Sequence, residues 1–232
     1  MHWLRPRAGV ALFNGDIDAA EGFTTILLNR AKELGLAGWI ARGHCFQGAL
    51  LIMQDDFAGG LPLLRGALDE LRESGAAPGY PAFQTVLASG LGRARQATQG
   101  LAVINQALAF SERHEERWSL PEILRIKGEL LLLECAPATA AAEAEDHFRQ
   151  ALDWARRQGA LLWELRAATS LARLLCNRHL PAEGLAILQP VYERFTEGFN
   201  TADVRSAKAL LDALGQAGSG TTRDALPRRP PI

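Results

Sequence analysis

A small residue, a large one four positions on and a small one three positions later recur four times in this chain. The sets are Gly60, Leu64 and Ala67; Gly100, Ile104 and Ala107; Ala144, Phe148 and Ala151; and Gly184, Leu188 and Val191. That spacing puts all three on one face of a helix. The last members lie 40, 44 and 40 residues apart. Twelve residues ahead of the first, second and fourth sets stand Gly48, Ala88 and Ala172, each followed three residues later by Leu51, Leu91 or Leu175. In the third unit the match is Gly128 with Leu131, displaced by four extra residues in the CAPATAA turn. Small residues on both sides of a helix contact let two backbones approach, and the large residue beside them fills the gap. A fixed period holding one helical hairpin is the mark of a solenoid.

The breakers divide the chain accordingly. A remnant of an opening helix runs to about residue 13, and a helix with Thr24 at its bulky position runs from about 16 to 34. Pairs then follow at about 38–54 with 57–74, 81–95 with 97–113, 119–135 with 140–158, and 162–178 with 181–196. Gly35, the GAAPGYP loop, Pro121, Pro137 and Pro181 separate them. Pro62 falls near a first turn, whereas Pro190 should kink its helix. Thr201 caps a final helix striped with Val204, Ala207, Leu210, Leu211 and Leu214 and closed by Gly215. Residues 1–215 thus read as one helical array, and 216–232, rich in Gly, Ser and Pro, as a flexible tail.

At 232 residues and 48% hydrophobic content, the chain can bury a large core. With 25 basic and 26 acidic residues of interspersed sign, it gives no reason to expect nucleic acid or an anionic membrane as a direct partner. No run approaches the roughly 18 apolar residues of a membrane span. Cys45, Cys135 and Cys176 are scattered and odd in number, which fits a reducing cytoplasm better than a disulfide framework.

The four triplets with their upstream partners resemble tetratricopeptide repeats, helical hairpins with small and bulky residues at fixed positions, although the period here is longer than the roughly 34 residues usual for them. The resemblance implies an all-α fold, a right-handed α-solenoid of about four and a half such hairpins with a C-terminal capping helix. A narrower resemblance covers residues 111–214. The strings HEERWSLPEILRIKGELLL, AEDHFRQALDWARRQGALLWELRAATSLARLL and VYERFTEGFNTADVRSAKALLDAL look like the C-terminal helical region of large bacterial signalling ATPases that carry a cyclase or winged-helix DNA-binding module. The phosphate-binding GxxxxGK[ST] loop of such an ATPase is absent from the sequence.

No reactive constellation stands out. His114 in SERHEERW lacks the second histidine of a zinc HExxH motif, and His44 and Cys45, adjacent on a helix, point about 100° apart. Gly90 and Gly92 do not follow a strand, so a dinucleotide loop is excluded. No enzyme activity, metal or cofactor is expected. Trp118, Trp154 and Trp163 sit near hairpin ends, where they are expected to plug the space between units.

By the tetratricopeptide resemblance, the first helix of each pair lines a concave groove. Its inward positions include Arg42, Arg93, Glu122, Arg125, Glu129, Arg166, Arg173 and Asn177. Clustered guanidinium groups suit a peptide carboxylate; alternatively, the arginines and glutamates pair across neighbouring helices. The expected function is a non-enzymatic module that recognises a protein or peptide, the sensor or scaffold end of a bacterial regulator acting with an ATPase, cyclase or DNA-binding module in cis or trans. The alternative is a helical domain that senses a small molecule and controls an ATPase switch.

Overall fold

The computed structural model describes residues 4–73, 79–134 and 138–220. Among them are eleven α-helices and no strand. They are α1 (Leu4–Asn14), α2 (Ile17–Glu33), α3 (Ala37–Met53), α4 (Phe57–Glu73), α5 (Tyr80–Arg93), α6 (Ala97–Arg113), α7 (Leu120–Leu133), α8 (Ala138–Gln158), α9 (Leu161–Asn177), α10 (Pro181–Tyr192) and α11 (Ala202–Gly220). None is long and apolar enough to cross a membrane. The chain divides into two compact units, 1–154 and 155–232, with the boundary inside α8.

Two ends differ from the sequence reading. α10 stops at Tyr192, two residues beyond Pro190, instead of continuing to 196. Proline lacks the N–H that the next turn needs and crowds the carbonyl four residues back, so the helix ends soon after it. α11 continues past Gly215 to Gly220, and residues 221–232 of the expected tail lie outside the described residues.

One turn is used seven times among the described residues. A left-handed residue follows the helix, with φ between 54° and 75°, at Gly15, Gly35, Asp55, Arg95, Glu115, Gly159 and His179. In each case its N–H bonds to the carbonyl three residues back, and the next N–H bonds to the carbonyl five back, as Asp16 does to Ala11 and Gln96 to Leu91. This double closure satisfies carbonyls that a helix end leaves bare. Four of the seven residues are not glycine, so composition alone does not announce these turns.

In the first unit each helix from α1 to α7 packs on its neighbours in sequence, and α1 on α3, α3 on α5 and α5 on α7 also touch. Helices α1, α3, α5 and α7 thus form one continuous layer. Where α3 crosses α4, a Cβ built on Gly48 would lie 2.7 Å from the Leu64 nitrogen, and one on Gly60 would lie 2.9 Å from the Gly48 carbonyl. The same close approach recurs at Gly100, 3.0 Å from the Ala88 carbonyl, and at Gly128, 2.6 Å from the Phe148 ring. Leu64, Ile104 and Phe148 are buried beside these crossings, as the triplets require. The register extends into the first hairpin, where Ala8, Ala20, Thr24 and Leu27 are all buried, and the Thr24 hydroxyl has no hydrogen-bond partner. Phe46 and Phe83 meet edge to face at 4.9 Å, tying α3 to α5.

In the second unit α9, α10 and α11 pack against one another. At its own crossing a Cβ built on Gly184 would lie 3.0 Å from the Ala172 carbonyl, and Leu188 and Val191 are buried there.

Trp118 is not the buried plug expected of it. It is 41% exposed, and its ring meets the edge of Phe13 at 5.7 Å. Its indole N–H donates to Glu116 Oε1 at 2.8 Å, an oxygen that also accepts from the Gly79 N–H at 2.5 Å. An indole held by its polar edge beside a turn stays half in solvent. Trp154 lies 6.0 Å beneath the Arg117 guanidinium, and Trp163 is half-buried.

The crossings set up a paired prediction. Gly48→Ala forces the Leu64 backbone aside and should cost about 1–3 kcal/mol, as overpacked cores do. Gly66, in α4 with nothing within 4 Å of an added Cβ, should instead gain about 0.5–1 kcal/mol on substitution by alanine. Urea unfolding midpoints of the two variants, moving in opposite directions, check it.

Candidate functional site

The end of α5 illustrates how a charged side chain is held in the odd-helix layer. Arg93 donates through Nη1 to the Ile52 carbonyl at 3.2 Å and through Nη2 to Asp55, and its guanidinium stands 5.1 Å from the centroid of the Phe57 ring. Beyond it a cavity of about 630 Å³ opens between α5 and α7. Ser89, Gly92 and Arg93 of α5 line one side, and Ile126, Glu129, Leu130 and Leu133 of α7 line the other. Arg95 in the turn and Ala97 at the start of α6 complete it. Leu133 is 59% exposed, unusual for a leucine on a helix that packs so fully elsewhere.

The groove arginines read from the sequence are placed differently from one another. Arg42 is only 6% exposed, where a residue facing an open groove was expected. Gly79, just ahead of α5, lies beside it: a Cβ built there would stand 3.7 Å from Arg42 Nη1. Arg125, 14% exposed, donates through Nε and Nη2 to the two carboxylate oxygens of Glu122, at 2.8 and 2.7 Å, and through Nη1 to Glu129 at 2.5 Å. These bonds lie within α7, at spacings of three and four residues. Such a fork already has its carboxylates and is poorly disposed to take another.

In the second unit Arg166 donates through Nε and Nη2 to Asp203 Oδ2 at the start of α11, at 3.0 and 2.7 Å. The carboxylate also sits favourably at the positive end of that helix. Arg173 and Asn177, further along α9, are exposed. Sequence reasoning missed Glu164, in the first turn of α9. It is 2% exposed, with Oε1 accepting from Arg156 Nε at 3.0 Å and Oε2 from Arg194 Nη1 at 2.6 Å. A buried carboxylate is tolerated because both oxygens meet guanidinium groups that keep contact with water. Its helical position resembles that of any solvated glutamate, so no local signal marks it.

Cys45 lies in the apolar core with no exposed surface, and burial, opposed by Arg42, pushes its thiol up to about 12. Deprotonation is therefore disfavoured at neutral pH, and the residue packs instead of reacting. The His114 ring stacks on Phe110 at 3.9 Å. Among the described residues, three or more His, Cys, Asp or Glu side chains nowhere gather as a metal would require.

His147, on α8, is held below its ordinary value of 6.5, first by burial and then by Lys127, while Glu143 and Asp146 act in the opposite direction. Its Nδ1 is buried without a hydrogen-bond partner. As pH falls through about 6.5, the unfolded chain binds a proton at this site that the folded chain resists, so stability should decline there. His147→Gln should flatten that decline, read from melting temperatures between pH 7.5 and 5.5. In a second test, iodoacetamide at pH 8 should leave Cys45 unlabelled in the native protein and label it in urea, as mapped by mass spectrometry.

No family model matches the chain, and no curated protein matches it. Among solved structures it is similar to the crystal structure of BtubC (BKLC) from P. vanneervenii, with a TM-score of 0.57 and 16% sequence identity, over 93% of this chain and 96% of that one. At that identity the likeness is one of helical fold.

Proposed function

We propose that the chain is a tetratricopeptide-like α-solenoid that works as a non-enzymatic interaction module, the sensor or scaffold end of a bacterial regulatory protein, and that it recognises a protein or peptide along the odd-numbered helices of each unit. The observation that carries this reading is the continuous layer made by α1, α3, α5 and α7, which opens into the cavity bounded by Ser89, Glu129 and Leu133. A row of helices with polar and apolar side chains around one recess suits an extended or helical peptide better than it suits bond-making chemistry. The repeated crossings at Gly48, Ala88, Gly128 and Ala172 support the solenoid, as does the similarity of fold to BtubC. The ordered strings of residues 111–214 support a setting beside an ATPase with a cyclase or DNA-binding module.

The side chains to change are those not engaged in structural ion pairs. Arg125 and Arg166 hold carboxylates of this chain, so reversing them would disturb the fold as well as the surface. Arg173→Glu with Asn177→Glu alters exposed positions on α9. Partner recovery on the immobilised chain, followed by mass spectrometry, should fall at least fivefold in that variant and hold in Arg205→Glu on α11. Equal recovery from both would remove α9 from the recognition surface.

A second reading, a small-molecule sensor that controls an ATPase switch, is favoured by the size of the α5–α7 cavity, since small-molecule sites span roughly 300–1,000 Å³.

A further inference from the structure

The junction of α3 with α5 and that of α5 with α7 repeat each other forty residues apart, and the side chains at equivalent places are not equivalent in chemistry. In the earlier junction Arg93 closes the slot: it bonds the Ile52 carbonyl and Asp55 and covers the Phe57 ring. Forty residues on, Gly92 stands for Ile52, Arg95 for Asp55, Ala97 for Phe57 and Leu133 for Arg93. The charge in the turn is inverted, the ring is gone, and the residue that should reach back is an exposed leucine. The cavity of about 630 Å³ lies at that place. One junction earlier still, between α1 and α3, the equivalent residues are Gly15, Ile17 and Met53, and there Ile17 and Met53 pack against the core without any charge.

The remaining charged groups on the cavity wall are engaged, Arg93 by Asp55 and Glu129 by Arg125. Arg95 is exposed and has no side-chain hydrogen bond or ion pair among the described residues. The slot therefore lacks two things that its predecessor has: a flat group over the first residue of the following helix, and a counter-charge for the turn. Because the turn residue is now a cation, the missing counter-charge is an anion.

We infer that the α5–α7 cavity binds a small aromatic carboxylate, its ring lying over Ala97 against Ile126 and Leu130 and its carboxylate paired with Arg95. A planar guanidinium matches a carboxylate bidentately, and it gains strength against an apolar wall that excludes water from one side. The site takes up the second reading's cavity without requiring its switch, and it is independent of the α9 surface.

The test is a fluorescence titration of the full chain with 2-naphthoate, beside its neutral analogue 2-naphthamide. Saturable binding is expected, at least tenfold weaker for the amide and at least tenfold weaker in Arg95→Asn, a side chain that tolerates the left-handed turn. The triple variant Arg95→Asp, Ala97→Phe, Leu133→Arg rebuilds the earlier junction and should abolish binding while raising the melting temperature. Absence of saturable binding to the wild type, equal affinity for the amide, or undiminished binding by Arg95→Asn with the triple variant would each overturn the assignment. Partner recovery through α9 is read separately, so failure here leaves that reading standing.

Discussion

Where α3 crosses α4 the two helices meet backbone to backbone, because neither Gly48 nor Gly60 carries a Cβ to hold them apart. Everything else in a hairpin follows from that proximity. Leu64 is buried beside the crossing only because the crossing is close, and the same holds for Ile104 beside Ala88 and Gly100. A close crossing multiplies dispersion contacts along both helices, while a void of even one methylene forfeits them. The third unit reaches the same result by another route, with the Phe148 ring lying in the space that a side chain at residue 128 would take. The turn geometry cooperates: a left-handed residue followed by a second backbone closure starts the returning helix after an interval of two or three residues, or of six between α6 and α7, keeping the crossing in register.

Repetition of the hairpin leaves a set of junctions between odd-numbered helices, and these vary in chemistry although the backbone does not. One is closed by apolar packing around Met53, one by Arg93 reaching Asp55 and Phe57, and one is left open above Ala97. A repeat architecture permits this because each unit is stabilised mainly by its own crossing and its nearest neighbours. A junction can then lose its filling residue without costing the hairpins on either side.

Charge in this protein is largely satisfied internally. Arg125 is enclosed by Glu122 and Glu129, Arg166 holds Asp203, and Glu164 is buried between Arg156 and Arg194. Removing one partner of such a set leaves the other charge stranded in a place of low polarity, so these groups act as structural fasteners more than as a surface for ligands. On the proposed reading, recognition falls to groups outside the networks, among them Arg95, Arg173 and Asn177.

Helix number, helix boundaries to within a few residues and the buried face of each hairpin were legible in the sequence, because periodicity of small and large residues reports local geometry directly. The spacing of Gly48, Leu64, Ala88, Ile104, Gly128 and Phe148 is enough to put each on its crossing. The non-glycine turns at Asp55, Arg95, Glu115 and His179 could not, since their left-handed backbone is imposed by the helices they join. Nor could the fates of the arginines: Arg42 is buried beside Gly79, distant in sequence, Arg166 is claimed by a helix 37 residues further on, and Arg95 and Arg173 remain exposed. A side chain's helical face follows from its own segment. Its partner follows from where other segments come to lie, and that is decided by tertiary packing.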